Sequence, residues 1–341
     1  MSTPKNYALS QQKNNSNLTT GLAEFIKYLA GDLPKLALAF VLIILNSAAG
    51  IITPYLIALA TDNFIVNKDL NGLWQIVLAL GGLYLVTVVC GYAQTRIMGT
   101  VSQNTLFRLR TALFAKIQKL PIAFFNQNKA GDLISRINND ADKLNQLLSE
   151  TLVRFASNIF VVIGIAIFIC FLNLQMALLT LVGAGMLAII TNFSSPFIRS
   201  TNKQALEATG SLSSEIQESL NNFKVIVAFN RRDFFQERFE EANTANFNKT
   251  IRSEIANGIF KPLYDLMGYA TQIAILAFGL YQIQQGHISV GLLIGFLGYS
   301  QKFYEPLRML GSLWGNLQSS LAAWTRLKEV LDLESDLVVV E

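Results

Sequence analysis

Residues Thr100–Leu120 read TVSQNTLFRLRTALFAKIQKL. Val101, Leu106, Leu109, Leu113, Phe114, Ile117 and Leu120 recur at three- and four-residue steps, the repeat of one helix face, and no Gly or Pro interrupts the run before Pro121. Upstream lies an apolar stretch, 73–93, long enough to cross a bilayer. The membrane helix is therefore expected to run on into water as a helix. Leu133, Ile134, Ile137, Leu144, Leu147 and Leu148 show the same spacing on the way back, so the segment between reads as a helical hairpin standing on two spans.

The composition agrees. Hydrophobic residues make up 52% of the 341-residue chain and charged residues only 15%, against about 25% in a soluble domain. The net charge of +4 is spread along the chain and forms no concentrated basic patch, which argues against nucleic-acid binding. Cys90 and Cys170 lie inside apolar runs, and His287 has no Cys or His neighbour, so neither a disulfide framework nor a metal site is expected. Residues 1–20 are polar and lack the apolar core of a signal peptide; a disordered tail is expected there.

Six stretches qualify as spans: 36–60, 73–93, 155–172, 176–198, 263–283 and 290–314. The last carries Lys302, Glu305 and Arg308 and suits lipid least. The loops 61–72, 173–175 and 284–289 hold only Lys68 between them, whereas the long loops and both ends hold nearly all other Lys and Arg. By the positive-inside rule both termini and both long excursions, 94–154 and 199–262, are cytoplasmic. The expectation is a multi-pass inner (plasma) membrane protein. Residues 21–31, with Leu22, Phe25, Ile26 and Leu29 on one face, are expected to form an elbow helix lying in the interface.

Each excursion has about sixty residues and lacks strand alternation, so each reads as a hairpin. Arms of equal length put the tips near residues 124 and 230, on the order of 35–40 Å from the bilayer at about 1.5 Å per residue. The first tip reads LPIAFFNQNKAGDL and the second AFNRRDFFQERF. Aromatic residues mixed with arginine are the composition of protein–protein hot spots.

In this ordered set the chain resembles the transmembrane domain of ABC exporters of the multidrug and lipid type, over about residues 22–335. FFNQNKAGDLISRINND, with Arg136 and Asp140, is similar to the family's first coupling-loop pattern, and EIQESLNNFKVIVAFNRRDFFQERF, with Glu215 and Glu218, to the second. YEPLRML and AAWTRLKEVLD are similar to the sixth-helix and linker patterns. The resemblance implies an all-α membrane protein with the type-1 exporter fold: six transmembrane helices, two long cytoplasmic helical extensions, and assembly as a domain-swapped dimer, homomeric or heteromeric. It divides the chain into a transmembrane domain, 21–325, and a linker, 326–341. It also implies coupling helices that dock on nucleotide-binding (ATPase) domains, through Phe124, Phe125, Asn126, Gln127 and Gly131 at the first tip and Phe229, Arg231, Arg232, Phe234 and Phe235 at the second. No GxxxxGK[ST] phosphate loop occurs. The chain itself is thus expected to bind no cofactor and to have no catalytic residue, ATP and Mg²⁺ belonging to an ATPase domain outside it. The chain is read as the membrane part of a longer protein, the alternative being a stand-alone permease with a separately encoded ATPase.

Ionisable residues in a span face a cavity or each other by default. Lys302 and Glu305 are three residues apart on one helix face, which allows an intrahelical ion pair; they and Phe303 are also candidates for lining a substrate cavity, as are Tyr264 and Asp265. An amphipathic, drug-like or lipid-like substrate is expected. An ion-driven transporter is an alternative reading, but it predicts broken helices at mid-membrane; a membrane scaffold or sensor with partner-binding tips is another.

Overall fold

The computed structural model describes Tyr7, Leu9, Phe25 and residues 28–333, with residues 260 and 261 described in backbone only. Every described element is helical. The chain forms two compact units, Met1–Leu172 with Gln282–Glu341, and Asn173–Tyr281.

The first unit begins with α1 (Leu33–Leu59), which has a proline in its first turn and Pro54 in its interior. A π-helical turn, Ala60–Ile65, and the left-handed Lys68 (φ 53°) reverse the chain. Asp69 then accepts hydrogen bonds from the backbone N–H groups of Asn71 (3.0 Å) and Gly72 (3.1 Å) and starts α2. Helix α2 runs without a break over Leu70–Gln118, 49 residues and on the order of 70 Å. Its length realises the continuous periodicity of the sequence.

At Pro121 the chain turns into the short α3 (Ile122–Gln127), and after the extended Asn128 and Lys129 into α4 (Ala130–Ser135). A π-helical turn (Arg136–Asp140), α5 (Ala141–Gln146), a second π-helical turn (Leu147–Thr151) and α6 (Leu152–Leu172) follow end to end as one returning arm. Leu109 and Leu113 of α2 are fully buried against Leu144, Leu147 and Leu148 of this arm. Both expected rows of leucines thus close on each other.

The second unit holds α7 (Leu174–Asn221), α8 (Phe223–Ala228) and α9 (Arg232–Gln284, whose last residues belong to the first unit). The side chain of Asn173 caps α7 by accepting from Met176 N–H at 3.1 Å. The two long helices are joined by side-chain rungs: Thr191 with Tyr264, Asn202 with Ser253 and Asn257, Gln204 with Lys249, Thr209 with Asn246, and Glu215 with Arg238. All rungs fold about the same point, the turn after α8, which defines an antiparallel hairpin.

Back in the first unit, α10 (Val290–Asp332) starts at Ser289, whose hydroxyl accepts from Leu292 N–H. Its first turn is tied to the C-terminal end of α1, where the Asp62 carboxylate accepts from Gly291 N–H at 2.7 Å and from the Ser289 hydroxyl. A Cβ at Gly291 would collide with the Ala58 carbonyl and Asp62. Only glycine permits that approach.

Among the described residues, five helices are long and apolar enough to cross a membrane: those over Ala30–Ile65, Leu70–Gln118, Ala130–Leu172, Leu174–Asn221 and Arg232–Gln284. The segment expected as a sixth span lies in α10, which falls outside that set; it carries Gln301, Lys302, Glu305 and Arg308. The expected elbow, 21–31, lies largely outside the described residues. Where described, it departs from the lipid-facing reading: Phe25 and Leu29 are buried in the protein core, and both Phe25 and Tyr28 pack on Trp324 of α10, with ring centroids 5.1 and 5.4 Å away. The same apolar stripe serves a protein face as well as a lipid one. Asp32 anchors this turn to α2 through Arg108 and reaches Lys35 at 3.1 Å. Of residues 1–20 and of the segment 326–341, only Tyr7, Leu9 and the residues up to 333 are described; helix α10 continues through the linker as far as Asp332.

Candidate functional site

The first tip is built on a break in the helix, since proline donates no N–H and cannot continue α2. Within α3 the two adjacent phenylalanines part company. Phe124 points inward and is fully buried with Leu120, Leu133 and Tyr7, whereas Phe125 stays 46% exposed and meets Phe124 edge to face at 5.3 Å. Phe124, expected on the contact surface, is therefore the anchor of the tip; Phe125, Asn126, Gln127 and Gly131 remain exposed.

The returning arm of this tip is bolted to the end of α10. Arg136, only 7% exposed, donates to the Arg326 carbonyl (2.7 Å) and to Glu329 (2.9 Å). Arg326 in turn grips Asp140 with two hydrogen bonds, and that bonding raises the pKa of its guanidinium. Arg136 and Asp140 bound the π-helical turn, and the extra residue in such a turn re-aims side chains relative to a regular helix. This brings the first coupling-loop motif into contact with the AAWTRLKEVLD motif near the other end of the sequence.

At the second tip, α8 ends in a Schellman turn. Asn230 is left-handed (φ 53°), its N–H bonds Val227 O (3.2 Å), and Arg231 N–H bonds Ile226 O (2.9 Å). Asparagine tolerates that conformation better than most residues. The turn throws Phe229 outward, 74% exposed, next to exposed Arg231 and Arg232; Phe234 is exposed and Phe235 half-buried. Arg238, not singled out from sequence, organises the base of this tip. It bonds Glu215 at 2.5 Å and Glu218 at 3.5 Å and lies 6.0 and 5.9 Å from the ring centroids of Phe234 and Phe235. Its spacing from Glu215 across the hairpin was the available signal. A groove of 360 Å³ opens beside it, lined by Leu220, Phe223, Ile226, Phe235 and Phe239 among others. Phe239, on the return arm, thus contributes to the groove wall.

Of the candidate cavity residues, Tyr264 and Asp265 belong to the second unit and Lys302, Phe303 and Glu305 to the first. Tyr264 is hydrogen-bonded to Thr191 at 2.8 Å, and Asp265 is exposed. Lys302 does not turn to Glu305: its ammonium donates to the Gly50 carbonyl of α1 at 2.9 Å. Pro54 explains this, because it lacks the N–H that would otherwise bond Gly50 O in the helix. The neighbouring Ile51 carbonyl accepts from the buried Tyr299 hydroxyl at 2.8 Å. Glu305 is exposed, and Phe303, expected to line a cavity, is 3% exposed and sits in the packed interior of its unit.

Comparison with known proteins agrees with this geometry. The ABC transporter transmembrane region pattern matches residues 36–307. The chain is 29% identical over 309 residues to the uncharacterized ABC transporter ATP-binding protein YfiC of Bacillus subtilis, covering 89% of this chain and 50% of that one. It is 28% identical over 250 residues to a fatty acid ABC transporter ATP-binding/permease protein of Mycobacterium tuberculosis (73% and 40%), and 26% over 306 residues to the ATP-dependent lipid A-core flippase of Syntrophus aciditrophicus (89% and 51%). A multi-pass helical membrane protein is the class that the fold and this match define. This chain belongs to the ABC transporter transmembrane family, as an exporter-type transmembrane domain. It spans about half the length of the curated relatives it matches.

Proposed function

We propose that the chain is the membrane-spanning half of an ATP-driven exporter that moves amphipathic compounds, drug-like or lipid-like, out of the cytoplasm or inner leaflet by alternating access. The observation that carries this reading is the pair of aromatic and basic tips at the ends of long rigid arms, with Phe125 at one and Phe229, Arg231, Arg232 and Phe234 at the other left exposed. Uncovered aromatics beside arginine fit a partner surface, and the family supplies ATPase domains as that partner. The clamp from Asp140 and Arg136 to α10 supports a mechanical path from the first tip to the helix that carries Lys302.

ATP and Mg²⁺ would be held by the ATPase domain, since this chain has no phosphate loop. The relatives' names, a fatty acid transporter and a lipid A-core flippase, favour a lipid-like substrate. Lys302 and Glu305 are the residues best suited to read its polar group, and Tyr264 and Asp265 are secondary candidates. A second transmembrane subunit, homomeric or heteromeric, completes the pathway in this reading, both subunits lying in the inner membrane with cytoplasmic termini. Phe247, Ile251, Ile255 and Ile259 form an exposed apolar stripe at four-residue steps on α9, which supports a swapped dimer that covers it.

The test joins or co-expresses an ATPase domain with the chain and measures hydrolysis and transport together. Phe229→Ala combined with Arg231→Ala is expected to uncouple the two activities. Unchanged coupling would remove the second tip from the mechanism.

A further inference from the structure

The buried side of the first tip is closed by residues far away in sequence. Tyr7 is 5% exposed and packs with Leu120, Phe124 and Leu133, while Leu9 and Leu333 lie against the same cluster. The backbone at Tyr7 and Leu9 is held by two neighbouring side-chain amides. Tyr7 N–H donates to Gln127 Oε1 at 2.7 Å, Asn128 Nδ2 donates to Tyr7 O at 2.9 Å, and Leu9 N–H donates to Asn128 Oδ1 at 3.0 Å.

The chemistry of that last pair is specific. A carboxamide carries the same donor and acceptor as a peptide group. Asn128 uses both on the carbonyl of one residue and the N–H of the residue two further on, as a neighbouring β-strand would. Its Nδ2 also reaches Phe124 O at 2.8 Å, which fixes the side chain on the tip itself. The site thus reads the backbone groups of Tyr7 and Leu9 through Gln127 and Asn128 and one aromatic side chain through a pocket floored by Phe124. Leu333, at the end of α10, borders the same cluster, so an occupant here also touches the helix that Arg136 and Asp140 clamp.

We propose that the first tip carries a peptide-binding site whose occupant is the chain's own N-terminal segment, with Tyr7 and Leu9 acting as a clip that holds α3 against the end of α10. Tyr7 and Asn128 are positioning residues for the tip. That the tip meets an ATPase domain rests on the reading above; the clip itself does not.

The experiment is hydrogen exchange, resolved to single amides by fragmentation, on the 341-residue chain in lipid nanodiscs without ATPase domain or substrate. Its failure is therefore distinct from failure of the exporter reading. The Tyr7 and Leu9 amides are expected to exchange at least about tenfold more slowly than in a free peptide of residues 1–15, because each is hydrogen-bonded. Asn128→Ala is expected to return Leu9 to the free rate. Tyr7→Ala is expected also to speed exchange over 122–133. If Asn128→Ala unfolds the tip, Gln127→Ala, at an exposed side chain, takes its place and is read at the Tyr7 amide. Free-peptide rates at both amides in the wild-type chain, or rates over 122–133 indifferent to Tyr7→Ala, overturn the proposal.

Discussion

Arg326 holds Asp140 side-on, its Nε 2.8 Å from Oδ2 and its Nη2 2.5 Å from Oδ1. The Asp140 side chain is 7% exposed. A two-bonded guanidinium fixes direction as well as charge, so the end of α10 is held in one orientation against the returning arm. Removing Arg326 leaves the buried Asp140 carboxylate with the more distant Lys143, 3.7 Å away. Arg326→Ala is expected to cost about 2–4 kcal/mol of stability, and Arg326→Lys, which keeps the charge and loses the fork, an intermediate amount. Thermal unfolding of the purified chain in one fixed detergent checks the order; equal losses for Ala and Lys would show that the fork contributes nothing.

Lys302 and Pro54 make a second, coupled prediction. Lys302→Met leaves the Gly50 carbonyl without its donor, a loss of about 0.5–1.5 kcal/mol. In a Pro54→Ala background the helix supplies its own N–H to that carbonyl, so the same Lys302→Met change is expected to cost less. A double-mutant cycle on unfolding reads the difference directly. Additive costs would disconnect the two residues.

Gly291→Ala tests the closure of α10 on the end of α1. The added methyl meets the Ala58 backbone carbonyl and the Asp62 carboxylate, and overpacking of this kind costs about 1–3 kcal/mol. Wild-type thermal stability in this variant would contradict the close approach of α1 and α10.

Arg238 lies between the arms and against two rings, but it is solvent-accessible. Arg238→Met is therefore expected to leave global unfolding nearly unchanged while speeding amide exchange in 232–239. Identical exchange in the variant would assign the tip's rigidity to the backbone turn alone.

Much of the architecture was legible because it rests on local rules. The leucine spacing in Thr100–Leu120 is the spacing buried in the first hairpin, and Pro121 ends a helix for a reason confined to its own ring. The site was less legible. Phe124 and Phe125 are neighbours of identical chemistry, and the cluster that takes Phe124 inside joins Leu120 and Leu133 to Tyr7, more than a hundred positions away. For Lys302 the sequence offered a pairing with Glu305 or a place in a cavity, whereas its acceptor is created by a proline on another helix. Arg136 and Asp140 were recognised as parts of a pattern, yet the π-helical turn that aims them at α10 leaves no residue-type signature. Phe25 and Leu29 show the same limit, since an amphipathic stripe does not say which apolar medium it meets.

The rungs between α7 and α9 invert the usual logic of a helical hairpin. In water two helices ordinarily hide their greasy residues between them, yet here asparagine, threonine, glutamine and lysine occupy the seam, and Phe247, Ile251, Ile255 and Leu206 are turned outward. A seam of this kind keeps the hairpin straight through directional bonds. It also makes the hairpin an orphan in solution: excised as residues 199–262, it is expected to self-associate, because it wears its core as a coat.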